Sequence, residues 1–593
     1  MRISALICSA ATLVLAMAGP AAPALAQTQT QATSADARLR ALYEADWAWN
    51  MREEASIDDG EGGITRDDHL PRVDAATQMR RVAHWREMLG ALDKIPLDQL
   101  SDDERVNAAV FRTNLEIALA DAKFREWEMP FNSDSSFWTY LDTSRGLKNA
   151  DDYRRYIGRM RDIPRYFGEH VENMRAGLKR GFTVPRATLD GRDSSIATYA
   201  VTDIEKNPFY AAFKTMPGTI PAAEQAALRE EARAAIRDAV VPAYGKLLDF
   251  FRTEYLPKAR KTLAATVLPD GKAFYAAQIK EYTTLDLTAE QIHEIGLKEV
   301  ARIEAEMRQT MVDSGFKGSF EEFLKFLRSD PQFYAKTPDE LMGVSAYVAK
   351  RVDGKIADTI GTLPRKPFTI IPVPEALAPF YTAGRGGLGS CQMNTYNLPS
   401  RPLYQIPALT LHECAPGHSF QAALAKERQQ GPAFRRHTYF SGYGEGWGLY
   451  TEWLGIGMGI YRTPYEHFGR LSYEMWRAVR LVVDTGVHSK GWSRQQAIDY
   501  LAGHTALSQH EVETEVDRYI SWPGQALAYK LGEMTIRRLR GEAEQKLGPK
   551  FDQRRFHDAI LALGSVPLPV LERRIARFIE DEGKAPAPAV SAN

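Results

Sequence analysis

Two histidines and the glutamate between them could hold a metal ion and carry out hydrolysis. His412, Glu413 and His418 form the pattern H-E-x-x-P-G-H, directly after an apolar run that ends at Leu411. Neutral imidazole nitrogens are common ligands of Zn²⁺. A carboxylate beside the first histidine can act as the general base toward water that the metal activates. These residue types therefore predict a metal-dependent hydrolase.

The spacing of the two histidines departs from the familiar helical zinc motif, H-E-x-x-H. Histidines four residues apart lie about 40° apart around a helix, whereas the six residues from His412 to His418 correspond to about 240°. Pro416 has no N–H to donate to the carbonyl of His412, and Gly417 can adopt backbone angles closed to other residues. We infer a break or bulge that returns both histidines to one face. The alternative is a helix that ends at Ala415, with a second helix opening at Pro416 and histidines that only pack or face solvent.

A glycine-rich stretch downstream, S-G-Y-G-E-G-W-G-L-Y-T-E-W-L, supplies two candidates for a third ligand. Glu445 and Glu452 are seven residues apart, nearly in line on a helix, and aromatic and leucine side chains surround them. Carboxylates amid so much apolar surface are costly to bury unless they are paired or bind a metal. We predict Glu445 as the ligand. Glu452 is the alternative ligand or a partner that orients a ligand histidine; the competing interpretation is that both glutamates face solvent.

Residues beyond the metal motif are candidates for contacts with a substrate. Tyr519 or His488 could stabilise the oxyanion of a tetrahedral intermediate, and Arg518 could bind a substrate carboxylate bidentately. Further candidates for substrate binding are Asn394, Gln525 and Tyr529. Arg480 and Asp484 lie one helical turn apart, and a structural ion pair between them is the simpler interpretation of that polar stripe.

The segment of residues 384–389 matches G-x-G-x-x-G formally, but it does not predict a dinucleotide site. Residues 390–397 follow it, and their composition predicts strand or loop, not helix. We interpret the segment as a flexible loop that leads into an edge strand. An edge strand beside a metal site can pair with an extended peptide. A plain structural hairpin is the alternative.

Residues 1–26 predict a cleavable signal peptide, with cleavage after Ala26. Arg2 precedes an apolar core too short to span a bilayer comfortably, and Ala24-Leu25-Ala26 is an A-x-A signal. The 75 basic and 76 acidic residues nearly balance, which argues against nucleic-acid binding. We expect a periplasmic or secreted protein with no membrane span, whose partner is a peptide or small amide.

Two cysteines, Cys391 and Cys414, remain after cleavage of the signal peptide, and both flank the predicted site. An oxidising compartment would permit one disulfide. Two buried, unpaired thiols are the more usual outcome, and we expect that outcome here. Cys414 is not predicted as a metal ligand, because it lies two residues after His412 and points to the other side of the helix.

Taken together, the motifs resemble those of domain-of-unknown-function family 885, bacterial proteins regarded as metallopeptidase-like. The matching pieces are H-E-x-x-P-G-H-x-x-Q from His412, E-G-W-x-x-Y-x-E from Glu445, and segments at 477–488 and 518–527. That family is similar in architecture to zinc peptidases of the thimet oligopeptidase and angiotensin-converting-enzyme type. Those are helical proteins with a deep cleft and two histidines and one glutamate as zinc ligands. The resemblance implies Zn²⁺ at His412, His418 and Glu445.

The predicted fold is mostly α, a two-lobed helical bundle with a deep central cleft and a small β element near the active site. The predicted division is a signal peptide (1–26), an N-terminal helical lobe (27–275), a metal-binding catalytic lobe (276–582) and a disordered tail (583–593). Long amphipathic stretches, such as residues 222–251 and 465–486, support the helical assignment.

The predicted function is that of an exported zinc metallopeptidase that cleaves small peptides, with Glu413 as general base. A carboxypeptidase or dipeptidase activity would depend on Arg518 as a carboxylate clamp. Two alternatives stay open: a zinc hydrolase of a non-peptide amide, and a non-catalytic periplasmic binding or scaffold protein. Glu413 argues against the latter, because a structural zinc site closes with four ligands and has no use for a free carboxylate beside the metal.

Overall fold

The computed structural model describes residues 34–58, 64–142, 146–375, 378–427 and 431–584. The predicted signal peptide and all but the first two residues of the predicted tail lie outside these ranges. Within them the protein is mostly α-helical with two small sheets, which confirms the predicted fold class.

Helices account for most of the described chain. Helices α1 to α12 are Ala35–Glu53, Ala75–Leu92, Asp102–Phe124, Ala150–Arg180, Asp193–Ala197, Ala211–Lys214, Ala222–Ala235, Val241–Phe250, Leu256–Lys258, Gly271–Thr283, Ala289–Asp313 and Phe320–Ser329. Helices α13 to α23 are Pro338–Asp353, Ile406–Glu413, His418–Glu427, Ala433–His437, Ser441–Gly457, Pro464–Lys490, Arg494–His504, Gln509–Ser521, Ala528–Leu547, Gln553–Leu561 and Leu568–Lys584. Strands β1 to β5 are Ser56–Asp58, Ile64–Arg66, Thr369–Pro372, Gly384–Gly387 and Ser390–Met393.

Helix α18 is the central helix around which the site is arranged. Thr463 caps its first turn, and every residue from Phe468 to His488 is buried, so all of its faces are covered. Helix α11 packs along it, and α17 packs along α21 in the same way. The helix predicted over residues 465–486 is therefore present and one turn longer than expected.

Apolar side chains form several buried clusters that do not follow the predicted division at residue 275. Leu39 of α1 shares a cluster with Trp447 of α17 and Ile575 of α23. A second cluster lies around α18, and a third, which includes Tyr244, lies almost wholly within residues 131–259. The described part of residues 27–275 thus contributes to more than one cluster, because Leu39 of α1 packs in the same cluster as the last helix.

The second sheet has the strand order β3-β5-β4, with β3 parallel and β4 antiparallel to β5. The glycine-rich segment predicted as a loop is itself the edge strand β4, and the segment predicted as the edge strand is the central strand β5. Three of the four residues of β4 are glycine. The missing side chains let this edge lie directly against other backbone, and here it lies against the end of α14.

Cys391 of β5 and Cys414 form a disulfide, with a Cα–Cα distance of 5.2 Å. The expectation of two unpaired thiols was wrong. Gly386, the partner of Cys391 in the sheet register, lies against the backbone of Glu413, so packing of the sheet on α14 brings the two sulfur atoms together. The disulfide therefore links the sheet to the residue that follows Glu413.

We expect removal of this disulfide, as Cys391→Ser with Cys414→Ser, to lower the free energy of unfolding by about 3 kcal/mol. The cross-link closes a loop with a sequence separation of 23 residues, and opening it restores conformational entropy to the unfolded chain. Urea unfolding of the double variant beside the wild type measures the change, with reduced wild type as the control. Equal midpoints for oxidised and reduced protein would contradict it.

Candidate metal centre

The chain breaks its helix between the two histidines of the H-E-x-x-P-G-H pattern. Helix α14 ends at Glu413 and α15 begins at His418, with a cis peptide bond before Pro416. A Cβ atom at Gly417 would lie 1.8 Å from the carbonyl oxygen of His412, so only glycine fits this turn. The two imidazole rings consequently meet, with centroids 4.8 Å apart. The inferred break is present, and it brings the histidines together.

Helix α17 brings Glu445 to the two histidines. One carboxylate oxygen of Glu445, Oε2, lies 3.5 Å from His412 Nε2 and 3.2 Å from His418 Nε2. A tetrahedral zinc site with ligand bonds of 2.0–2.1 Å places its donor atoms about 3.3 Å apart. The spacing of these donors and their chemistry, two imidazole nitrogens and one carboxylate oxygen, therefore fit a divalent metal such as zinc.

Glu452 contacts His412 at Nδ1, the ring nitrogen that does not face Glu445. Its Oε1 is 2.8 Å from His412 Nδ1, and its side chain is almost fully buried. By accepting the Nδ1 proton, Glu452 fixes the ring so that His412 Nε2 faces Glu445, where a metal ion could replace the proton on that nitrogen. The guanidinium of Arg477 approaches the same Glu452 oxygen at 3.7 Å. The geometry thus favours Glu445 as the ligand and Glu452 as the residue that orients His412.

The charges around the donors favour a cation. Burial by itself lowers the pKa of His412, but hydrogen bonds to Glu445 and Glu452 and the charge of Glu413 outweigh it and raise that pKa to about 9. Burial likewise opposes ionisation of Glu445, yet the charges of His418 and His412 hold its pKa well below the usual range. Three carboxylates, those of Glu413, Glu445 and Glu452, lie near the two imidazoles. Their negative charge stabilises positive charge at this site.

Glu413 faces the edge strand β4. The backbone N–H of Gly386 donates to Glu413 Oε2 at 2.6 Å. A Cβ atom at Gly386 would lie 1.9 Å from the carbonyl oxygen of Glu413 and 2.7 Å from His418 Cβ, so the contact requires glycine. The N–H fixes the carboxylate without neutralising it by a cation, which suits a general base. Sequence reasoning missed this contact, although the glycine-rich segment was its signal.

Tyr439 also reaches the donors, and sequence reasoning missed it. Its hydroxyl lies 3.2 Å from Glu445 Oε1, the oxygen that does not face the histidines. The residue stands two positions before α17 and is 57% exposed, so no periodic pattern marks it. The hydroxyl can donate to Glu445 and hold Oε2 toward the imidazoles.

The two residues predicted to stabilise an oxyanion are hydrogen-bonded to other groups in the core. His488 is fully buried; its Nδ1 accepts from the N–H of Ala265 at 2.9 Å, and its Nε2 donates to the carbonyl of Tyr519 at 2.8 Å. Burial lowers the pKa of His488 to about 3. The hydroxyl of Tyr519, also fully buried, accepts from Trp476 and from Arg480 and donates its own proton to Glu515. The structure thus places both side chains within the core around α18, where neither offers a free donor.

The predicted substrate-binding residues separate into two groups. The amide nitrogen of Asn394 donates to three carbonyls within residues 378–382, so this side chain holds the loop before β4. Arg518, by contrast, donates to Gln525 Oε1 at 3.0 Å and to the hydroxyl of Tyr529 at 3.3 Å. Arg518, Gln525 and Tyr529, three of the four predicted substrate-binding residues, therefore lie together.

The predicted ion pair between Arg480 and Asp484 is wrong. Arg480 pairs with Glu515 of α20 at 2.8 Å, while Asp484 accepts from the hydroxyl of Tyr275 at 2.5 Å. Burial raises the pKa of Asp484 to about 7. Packing of α20 and α10 on α18 supplies a separate partner for each side chain, which helical spacing alone did not reveal.

We expect Glu452→Gln to weaken metal binding about 10- to 100-fold, the usual effect of losing a hydrogen-bonded partner of a ligand histidine. The amide keeps the volume of the side chain but removes the charge that orients His412. Competition with a chelator measures the affinity. Glu542→Gln, which changes a glutamate on the surface of α21, is the matched control. An affinity equal to that of the control would contradict the role of Glu452.

Comparisons with known proteins place the chain in a family. A "putative lipoprotein" of Colwellia psychrerythraea has a similar structure, with a TM-score of 0.85 and 25% identity over 93% of this chain and 100% of that one. A "putative lipoprotein of unknown function" of Shewanella oneidensis shares the fold, with a TM-score of 0.62 and 18% identity over 92% and 100%. No curated protein matches this chain. Among the described residues, no helix has the length and apolar character needed to cross a membrane. The model of the family described as bacterial proteins of unknown function, DUF885, matches residues 58–575, and the chain belongs to that family.

Proposed function

We propose that the protein is a zinc-dependent hydrolase that cleaves peptide bonds of small peptides. One observation carries the proposal: His412, His418 and Glu445 converge with donor distances of 3.2 and 3.5 Å, and Glu413 stands beside them. Two histidines and a carboxylate are one of the three-ligand sets of catalytic zinc sites, which keep one position open. Four protein ligands would instead be typical of a structural site.

The metal, when bound, would act as a Lewis acid on the scissile carbonyl and would activate water. The Glu413 carboxylate would accept a proton from water and return it to the leaving amine. The N–H of Gly386 keeps Glu413 in place during both transfers. Glu452 holds His412, and Tyr439 holds Glu445, so that the ligands keep their orientation.

We further propose that the protein works outside the cytoplasm. Two proteins of similar structure are described as putative lipoproteins, and the N-terminal segment has the pattern of a signal peptide. The disulfide between Cys391 and Cys414 supports an oxidising compartment.

Metal removal tests the proposal. We expect the mature protein to contain about one zinc ion per chain by elemental analysis and to cleave members of a mixed pool of short peptides. A chelator should abolish cleavage, and added zinc should restore it. A panel of non-peptide amides, assayed in parallel, tests the alternative substrate class. Protein that binds no zinc when zinc is supplied, or cleavage that survives chelation, would overturn the proposal.

A further inference from the structure

Three arginines, two of them buried and one partly exposed, extend from the metal centre along α18 and α20. Arg477 approaches Glu452, the partner of His412, while Arg480 lies one turn further along α18 and Arg518 lies on α20. Each has a buried guanidinium nitrogen without a hydrogen-bond partner among the described residues: Nε of Arg477, Nη1 of Arg480 and Nε of Arg518. Other arginines of the protein also have such nitrogens, so what distinguishes these three is their position in one row that begins at the partner of His412.

Arg480 is fixed in place by its neighbours. Its guanidinium lies 4.5 Å from the ring centroid of Trp476 and 4.3 Å from that of Tyr529, and it pairs with Glu515. The residue is 1% exposed, so its charge acts in a medium of low dielectric. The two rings hold the guanidinium in place, its Nε donates to Tyr519 and its Nη2 pairs with Glu515, which leaves Nη1 without a partner among the described residues.

Arg518 is the accessible end of this row. Its side chain keeps 16% of its surface exposed, and Gln525 and Tyr529 hold one of its terminal nitrogens. Glu515 lies 3.6 Å from Arg518 and 2.8 Å from Arg480, so one carboxylate faces two guanidinium groups. Asp134 is a further acidic neighbour of Arg518, so the attraction for a substrate carboxylate depends on the part of the Arg518 guanidinium that stays exposed.

The pair of Arg480 and Arg518 lies beside the metal centre. Tyr529, which accepts a hydrogen bond from Arg518, shares an apolar cluster with Leu449 of α17. Leu449 stands one helical turn after Glu445 and three residues before Glu452. A single tyrosine side chain thus separates the arginine pair from the helix that supplies the proposed third ligand.

We infer that Arg518, backed by Arg480, binds the free C-terminal carboxylate of a short peptide, so that the enzyme cleaves near the carboxyl end. The inference rests on the proposed function for its reaction, but the binding site can be tested without turnover. Nη2 of Arg518 already donates to Gln525 and Tyr529, so the substrate carboxylate would bind at Nη1 through a charge-assisted hydrogen bond. A C-terminal amide has no such charge to offer.

Binding of matched peptide pools tests the inference. The protein carries Glu413→Gln to prevent cleavage, and it is incubated with tripeptides as free acids or as the same sequences amidated. Mass spectrometry after filtration measures the bound fraction. We expect recovery of the free acids to exceed that of the amides by about 30-fold or more, as for a buried charge pair.

The variants Arg518→Ala and Arg518→Lys are compared with Arg494→Ala, which removes an arginine that already pairs with Asp517 on the protein surface. We expect Arg518→Ala to lose the preference for free acids, Arg518→Lys to keep part of it and Arg494→Ala to keep all of it. Thermal unfolding confirms that each variant is folded. If Arg518→Ala does not fold, Arg518→Lys decides the question.

Several results would overturn the inference. One is that free-acid and amidated peptides are recovered equally. Another is that the preference for free acids is the same in Arg518→Lys as in the protein with Arg518. A third is that the protein retains peptides from neither pool. If the amidated pool yields only those peptides that contain aspartate or glutamate, that result would show that the arginines bind a side-chain carboxylate instead. A preference for free acids in a protein that never cleaves peptides would leave the carboxylate site standing and refute the proposed hydrolase.

Discussion

Replacing His412, His418 or Glu445 with alanine is expected to remove the bound metal and all peptide hydrolysis. Each residue supplies one of the three donors that the described part of the chain brings together here, and their donor atoms all lie within 4.8 Å of one another. A site with three protein ligands keeps one position open, so the loss of any one leaves too few to hold the ion at ordinary zinc concentrations. Elemental analysis should show a fall from about one zinc per chain to trace amounts.

The comparison with Glu452→Ala distinguishes the two glutamates. Glu452 hydrogen-bonds to His412 Nδ1 and does not face the other donors, so its loss should weaken metal binding but not abolish it. Zinc that remains in Glu445→Ala but is lost in Glu452→Ala would reverse the assignment. Glu542→Ala, on the surface of α21, controls for the loss of any glutamate.

Replacing Glu413 with glutamine is expected to keep the metal but lower turnover by about 10²- to 10⁴-fold, the usual contribution of a general base. Glutamine has the same shape, and its amide oxygen can still accept the N–H of Gly386. It cannot accept a proton from water at neutral pH. The fold and the metal ligands should therefore be unaffected while the proton transfer is lost.

The measurement is kcat on the peptide pool, made together with zinc content and thermal unfolding of the same preparation. Glu413→Gln that binds zinc and cleaves peptides as fast as the wild type would rule out Glu413 as the base. Gly386→Ala offers a second approach, because its Cβ would collide with the Glu413 carbonyl and displace the carboxylate. That variant should also lose activity, with a loss of stability that Glu413→Gln does not show.

Local sequence patterns were sufficient for the features that depend on residues close together in the chain. Helical periodicity predicted α17 and α18, and the spacing of Glu445 and Glu452 placed both on one helix. Pro416 and Gly417 predicted the break that brings His412 and His418 together, because neither residue suits a helix interior. The candidate donors were therefore evident before the fold was known.

Partners that come from distant segments depended on tertiary packing. A helix pattern shows which residues share a face, but it does not show what packs against that face. The disulfide between Cys391 and Cys414, the pairing of Arg480 with Glu515 and the burial of His488 each result from packing of an element remote in sequence.

The sequence by itself determined that this is a mostly helical chain with two histidines and several glutamates able to hold a metal. Only the tertiary structure decided which glutamate faces both imidazoles. Two glutamates seven residues apart point the same way from their helix, so only the position of α14 and α15 along α17 distinguishes them. That position sets Glu445 Oε2 between the histidines and Glu452 behind His412, because packing of the helices fixes distances that spacing in sequence leaves open.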